Sequence, residues 1–216
     1  MEAFKIDTAD ALVVVDPQYD FCPGGALGVP GGDEILPGIN HLAERFPLVV
    51  LTQDWHPPDH SSFAGNHPGA MVYSTVDMAY GPQILWPDHC VQGTRGAQFH
   101  PLVLDGAARR ASLIIRKGVH RAVDSYSAFY ENDHRTPTGL AGYLRDKGVK
   151  RCVFVGLAYD FCAAWSALDA VKLGFQAVIV KGLSRAIALP LPEGGTTEDA
   201  AERDFREAGV RVLAMI

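Results

Sequence analysis

Cysteine is scarce: the 216 residues contain four, Cys22, Cys90, Cys152 and Cys162. Thiols so few and so scattered form no disulfide framework at this length, and reduced side chains are expected. No apolar run approaches the roughly 18 residues that span a bilayer. A charged segment followed by an apolar one, the mark of a secretory leader, is missing from the first residues. There is no Lys/Arg run or stripe, and the formal net charge is −6, so neither nucleic acid nor an anionic membrane is an expected partner. These absences point to a cytoplasmic location. Internal repeats, low-complexity tracts and linkers are also lacking, and residues 1–216 are expected to form a single domain. A hydrophobic fraction of 48% with 20% charged residues excludes a disordered chain.

What is present is a series of short apolar, β-branched runs separated by helical patterns. Ala11–Val15, Leu48–Thr52, Ser112–Ile115, Cys152–Val155, Ala177–Val180 and Val210–Leu213 read as six strands. Between the first two, Ile35, Leu36, Ile39, Leu42, Ala43 and Phe46 recur at helical spacing after Asp33, a good N-cap. Thr138, Asp160 and Thr197 open further helices that close at Gly148, Gly174 and Gly209. Strands apolar on both faces and alternating with helices predict a three-layer α/β/α fold around a six-stranded, mostly parallel sheet. The stretch 55–110 has little periodicity and is rich in Pro, Gly and His. A segment that long inside a compact domain usually serves the function.

In open parallel sheets ligands bind outside the carboxyl ends of the strands. Here those ends carry Asp16, Asp54, Lys117 and Cys162. Each has an ordinary reading alone: a turn aspartate, a solvated lysine, a cysteine packed as a small hydrophobe. Four reactive groups at four strand ends are better explained by chemistry. Cys162 follows the break at Gly156, with Asp160 as expected N-cap, so the first helical turn would favour its thiolate. A cysteine nucleophile needs a base and a cation, which Asp16 and Lys117 can supply. Backbone N–H groups of the turn from Gly156 to Cys162 are the expected oxyanion donors. Whether Arg116 or Lys117 points inward is left open, because the third strand reads as apolar on both faces.

Asp54, His56, His60 and, across the loop, His89 supply metal donors. Pro57 and Pro58 rule out a regular helix between His56 and His60, so a turn must present them. A carboxylate with imidazoles suits Zn²⁺, Fe²⁺ or Mn²⁺ and leaves open positions. His41, His67, His100, His120 and His134 show no such clustering. Cys90 adjoins His89 too closely for both to reach one ion, and Cys22 and Cys152 read as packing.

These stretches, Val14–Leu27, Thr52–Ala64, Leu85–Thr94, Arg116–Gly118 and Gly156–Cys162, resemble the nicotinamidase/pyrazinamidase family of the isochorismatase-like cysteine hydrolases over essentially the whole chain. The resemblance implies a catalytic triad of Asp16, Lys117 and Cys162, and a metal held by Asp54, His56 and His89. It implies oxyanion donors at Ala158 and Cys162 beside a cis Leu157–Ala158 peptide, and Phe21 and Trp86 sandwiching an aromatic ring. The metal would be one divalent ion, Zn²⁺ or Fe²⁺ ahead of Mn²⁺. Nicotinamide and pyrazinamide would be the substrates, in NAD salvage, and a homo-oligomer is compatible with the family. His60 is left between direct ligand and bystander, since relatives that add a histidine from this turn use a longer spacer. Two rival readings are a hydrolase of another amide or carbamoyl compound, and a non-catalytic metal-stabilised binding protein.

Overall fold

The computed structural model describes residues 4–216. Its eight strands are β1 (Asp10–Val15), β2 (Leu48–Asp54), β3 (Thr75–Met78), β4 (Gly81–Ile84), β5 (Leu113–Lys117), β6 (Arg151–Leu157), β7 (Gln176–Arg185) and β8 (Arg211–Leu213). Six of them make one sheet in the order β5-β2-β1-β6-β7-β8, while β3 and β4 pair only with each other. Every neighbouring pair in the large sheet is parallel. The reason lies in the sequence of β1: all six residues are buried, so no face is left for water and both must be covered by helices.

The helices are α1 (Leu36–Ala43), α2 (Pro101–Leu104), α3 (Ala107–Arg110), α4 (Leu140–Asp146), α5 (Ala164–Lys172) and α6 (Thr197–Ala208). From β1 the chain crosses through α1 to β2 on one side of the sheet order. From β6 it crosses through α5 to β7 on the other. Right-handed crossovers in opposite directions place α1, packed with α2 and α3, on one face and α5, packed with α6, on the other. The reversal falls between β1 and β6, the position where an open sheet leaves a crevice beyond its strand ends. Gly156 permits the close pairing there: its φ is +112°, and a Cβ would stand 2.2 Å from the Val15 carbonyl oxygen.

Several local expectations are corrected. Asp33 does not cap α1, whose N-cap is Ile35 with no side-chain bond. Gly139, in a left-handed conformation, precedes α4, although the Thr138 hydroxyl accepts the Leu140 N–H. The acidic helix α6 does open at Thr197, and Thr196 caps it in a reciprocal capping box with Asp199. Asp160 is no cap at all. It lies inside a wide π-helical turn, Tyr159–Ala163, that precedes α5, and Cys162 sits in that turn. The Asp160 carboxylate instead accepts the N–H groups of Ile187 and Ala188 and the Thr197 hydroxyl. A tertiary partner has won over the local one.

Candidate active site

Four adjacent strands, β5, β2, β1 and β6, end at one edge of the sheet, and their ends carry Lys117, Asp54, Asp16 and the approach to Cys162. Lys117 is the inward residue of its pair and is 2% exposed. Arg116 lies over the Trp55 ring, 3.9 Å from its centroid, and bonds Gln53. The strand β5 is not apolar on both faces as its sequence suggests; it is the sheet edge, its burial alternates, and Ile114 is exposed.

The Lys117 ammonium lies 2.8 Å from Asp16 Oδ2 and 2.5 Å from Asp54 Oδ1. It also donates to the Ser125 carbonyl at 3.1 Å and to Cys162 Sγ at 3.3 Å. Burial opposes its charge, but the two carboxylates outweigh burial and hold its pKa well above the ordinary lysine value. Asp16 leaves β1 with φ +44°, a turn that aspartate tolerates. The Thr52 hydroxyl accepts its N–H and donates to its Oδ1. Asp16 is wholly buried, and desolvation raises its carboxyl pKa in spite of Lys117. Burial likewise pushes the Cys162 thiol well above its usual value, with Lys117 offsetting only part. Burial thus works against the thiolate that the helical turn is expected to favour, and the Asp16 carboxylate expected to take the thiol proton lies close by. Acceptor atoms of Asp16 and Asp54 and the sulfur of Cys162 lie within 4.8 Å of one another.

A second corner adjoins this one. Donor atoms of Asp54, His56 and His89, all buried, are also within 4.8 Å of one another. The Nδ1 atoms of His56 and His89 face the carbonyls of Gly118 (2.9 Å) and Pro87 (2.8 Å). A carbonyl only accepts, so each Nδ1 carries the proton and each Nε2 keeps its lone pair. Those Nε2 atoms lie 3.4 and 3.7 Å from Asp54 Oδ2. Histidines oriented this way by a backbone carbonyl are the usual ligands of a divalent ion, and the residues present fit one. The hard part of the approach is made by Gly118, φ +63°, where a Cβ would stand 2.3 Å from the His56 ring. Gln18 sets Asp54 in place, accepting its N–H and donating to its carbonyl, both at 2.8 Å.

Between the two corners lies a narrow cavity, bordered by Phe21, Trp86, Ala158, Cys162, Asp54 and His89. Its wall is mainly aromatic and aliphatic with a few polar groups, the usual make-up of a small-molecule site. The Leu157–Ala158 peptide is cis. Sequence reasoning missed Leu27, Asp124, Tyr126, Phe161 and Ile187, which also line the cavity. Trp86 meets Phe161 edge to face at 4.9 Å and donates its indole N–H to the Tyr126 hydroxyl. Thr52 could have been found, since period two puts it on the same face of β2 as Asp54. Asp124 and Tyr126 lie in irregular chain and leave no such trace.

The chain is similar to several known proteins. The isochorismatase domain model matches residues 10–188. A nicotinamidase of Acinetobacter baylyi is 53% identical over 82% of this chain and 81% of its own. The structure of an Acinetobacter baumanii nicotinamidase/pyrazinamidase superposes with a TM-score of 0.90 at 49% identity, covering 97% of both chains. The pyrazinamidase of Pyrococcus horikoshii, solved in complex with zinc, superposes with a TM-score of 0.73 at 34% identity over 95% of this chain and 98% of its own.

Proposed function

The chain belongs to the isochorismatase family, among its nicotinamidases, and on that premise we propose that it hydrolyses nicotinamide to nicotinate and ammonia, in NAD salvage in the cytoplasm, with pyrazinamide as a second substrate. The reaction would be run by one hydrolase domain, residues 1–216. The observation that carries this reading is Lys117, whose ammonium touches the Asp16 carboxylate and the sulfur of Cys162, a residue that lines the aromatic cavity.

Asp16 takes the thiol proton as sulfur attacks the carboxamide carbon. A carboxyl whose pKa is raised by burial is a stronger base than a solvated one, and the ammonium of Lys117 stabilises the anions formed on either side of it. The tetrahedral oxyanion accepts from the backbone N–H groups of Ala158 and Cys162. Its collapse expels ammonia, protonated by Asp16, and leaves a thioester on Cys162. Asp16 then deprotonates a water that attacks the thioester carbonyl, nicotinate departs, and the thiol is restored. Phe21 and Trp86 flank the ring and keep bulk water from it. Asp54, His56 and His89 would hold one divalent ion, Zn²⁺ or Fe²⁺ before Mn²⁺, which when bound supplies a Lewis acid for the pyridine nitrogen. The chain's own part is to fix that anchor relative to Cys162, so that the carboxamide is delivered to the sulfur.

The test is ammonia release from nicotinamide before and after treatment with a strong chelator. Loss on chelation with recovery on adding metal is expected. Full activity after verified metal removal discards the role given to Asp54, His56 and His89, and no activity in the metal-loaded protein discards the substrate.

A further inference from the structure

The chain has a second donor cluster that the reading above does not use. Ligand-type atoms of His56, His60 and Asp124 lie within 4.8 Å of one another, and all three residues are buried. It cannot be an independent ion site, because His56 has one free nitrogen and that nitrogen faces Asp54. His60 differs from its neighbours in tautomer. Its Nδ1 accepts the Ser62 N–H at 3.3 Å, with the Ser62 hydroxyl 2.7 Å away. A neutral imidazole that accepts at Nδ1 carries its proton on Nε2, an assignment that follows from the hydrogen-bond network. His60 is 0% exposed, and its Nε2 has no hydrogen-bond partner among the described residues. Where His56 and His89 present a lone pair, His60 presents an N–H.

Asp124 presents the opposite polarity. It is 2% exposed and borders the cavity. One carboxylate oxygen accepts the Ser125 N–H and the other accepts from Gln83 Nε2. Each oxygen retains a further acceptor site, and no Lys or Arg among the described residues pairs with it. A buried donor and a buried acceptor beside the same metal-facing histidine call for one small group that accepts from the first and donates to the second. Water is that group, and an ion gives it the third partner that a buried water needs. We propose that His60 and Asp124 are positioning residues that hold a water molecule on the divalent ion bound at Asp54, His56 and His89. The proposal rests on the metal reading above. It makes His60 a donor to the ion's water rather than a ligand.

Zn²⁺ binding to the metal-stripped full chain, read by competition with a chromophoric chelator, tests this. Asp124→Asn and His60→Phe are each expected to weaken Zn²⁺ binding by about 10- to 100-fold while far-UV circular dichroism stays that of the parent. Because both act through one water, the double variant should lose little more than the weaker single variant. Parental affinity in both single variants, or fully additive losses, would overturn the proposal. Where one variant fails to fold, the affinity of the other decides. Asp54→Ala separates the two readings: if it keeps parental affinity the metal corner itself is wrong, and if it alone loses Zn²⁺ only the water is discarded.

Discussion

The ammonium of Lys117 and the sulfur of Cys162 are 3.3 Å apart, both inside the protein, and they come from opposite sides of the central strand. Lys117 favours the thiolate, but burial outweighs its charge and raises the thiol's pKa. In the proposed mechanism the proton therefore passes to Asp16. Cys162→Ala should lower nicotinamide turnover by about three orders of magnitude or more, with the fold preserved since Ala163 and Ala164 beside it are already small and buried. Ammonia release measured on the purified variant checks this, and retained turnover refutes the nucleophile.

Removing the cation itself should damage stability as well as activity. Lys117→Met leaves Asp16 and Asp54 buried with no ammonium between them, and breaking a buried ionic network from one side costs about 3–5 kcal/mol. Urea unfolding of the metal-free protein at neutral pH gives the difference. A variant as stable as the parent would mean that the two carboxylates do not need the lysine.

The cradle of His56 offers a change that leaves every donor atom in place. In Gly118→Ala the new methyl group meets the imidazole at 2.3 Å, on a backbone of φ +63° that alanine resists. The ring must shift, and Zn²⁺ affinity is expected to fall by about tenfold or more, as for other losses of the groups that orient a ligand. Chelator competition measures it; unchanged affinity would show that the carbonyl contact does not orient the ring.

His60 sets a pH dependence of stability in the metal-free chain. Burial, with the neighbouring His56, lowers its pKa from 6.5 to about 4. Between those values the unfolded chain binds a proton that the folded one refuses, so stability is whole above pH 6.5 and is lost as pH falls toward 4. The loss attributable to this group reaches about 3 kcal/mol at most. In denaturant titrations over that window, His60→Phe should show a shallower decline than the parent. Equal slopes would place the proton elsewhere.

Much of this is legible in the amino-acid sequence. Parallel strands covered on both faces must be continuous apolar runs, which is why Ala11–Val15 and Cys152–Val155 announced themselves. Because ligands sit at strand ends, Asp16, Asp54, Lys117 and Cys162 could be singled out by position alone. What was hidden depended on partners distant in sequence. Asp160 obeys the rule for a helix cap until Ile187, Ala188 and Thr197 claim its carboxylate. The choice between Arg116 and Lys117 turned on β5 being an edge, a property of the sheet and not of its five residues. The hairpin of β3 and β4 is short and mostly half-buried or exposed, so no apolar run marks it. Tyr126 and Asp124 reach the cavity from irregular backbone that follows no period, and Phe161 from the π-helical turn before α5.

The strand order carries one more consequence, for the order of events during synthesis. The ribosome delivers Asp16, Asp54 and Lys117 with β1, β2 and β5, but β6 and Cys162 emerge only after residue 150. The innermost strand, β1, is flanked by an early neighbour, β2, and a late one, β6. A nascent chain that stops short of β6 holds Asp54, His56 and His89, the donors proposed for the ion, but not Cys162. On the proposed roles, reactivity is thus withheld until one whole flank of the innermost strand has been filled.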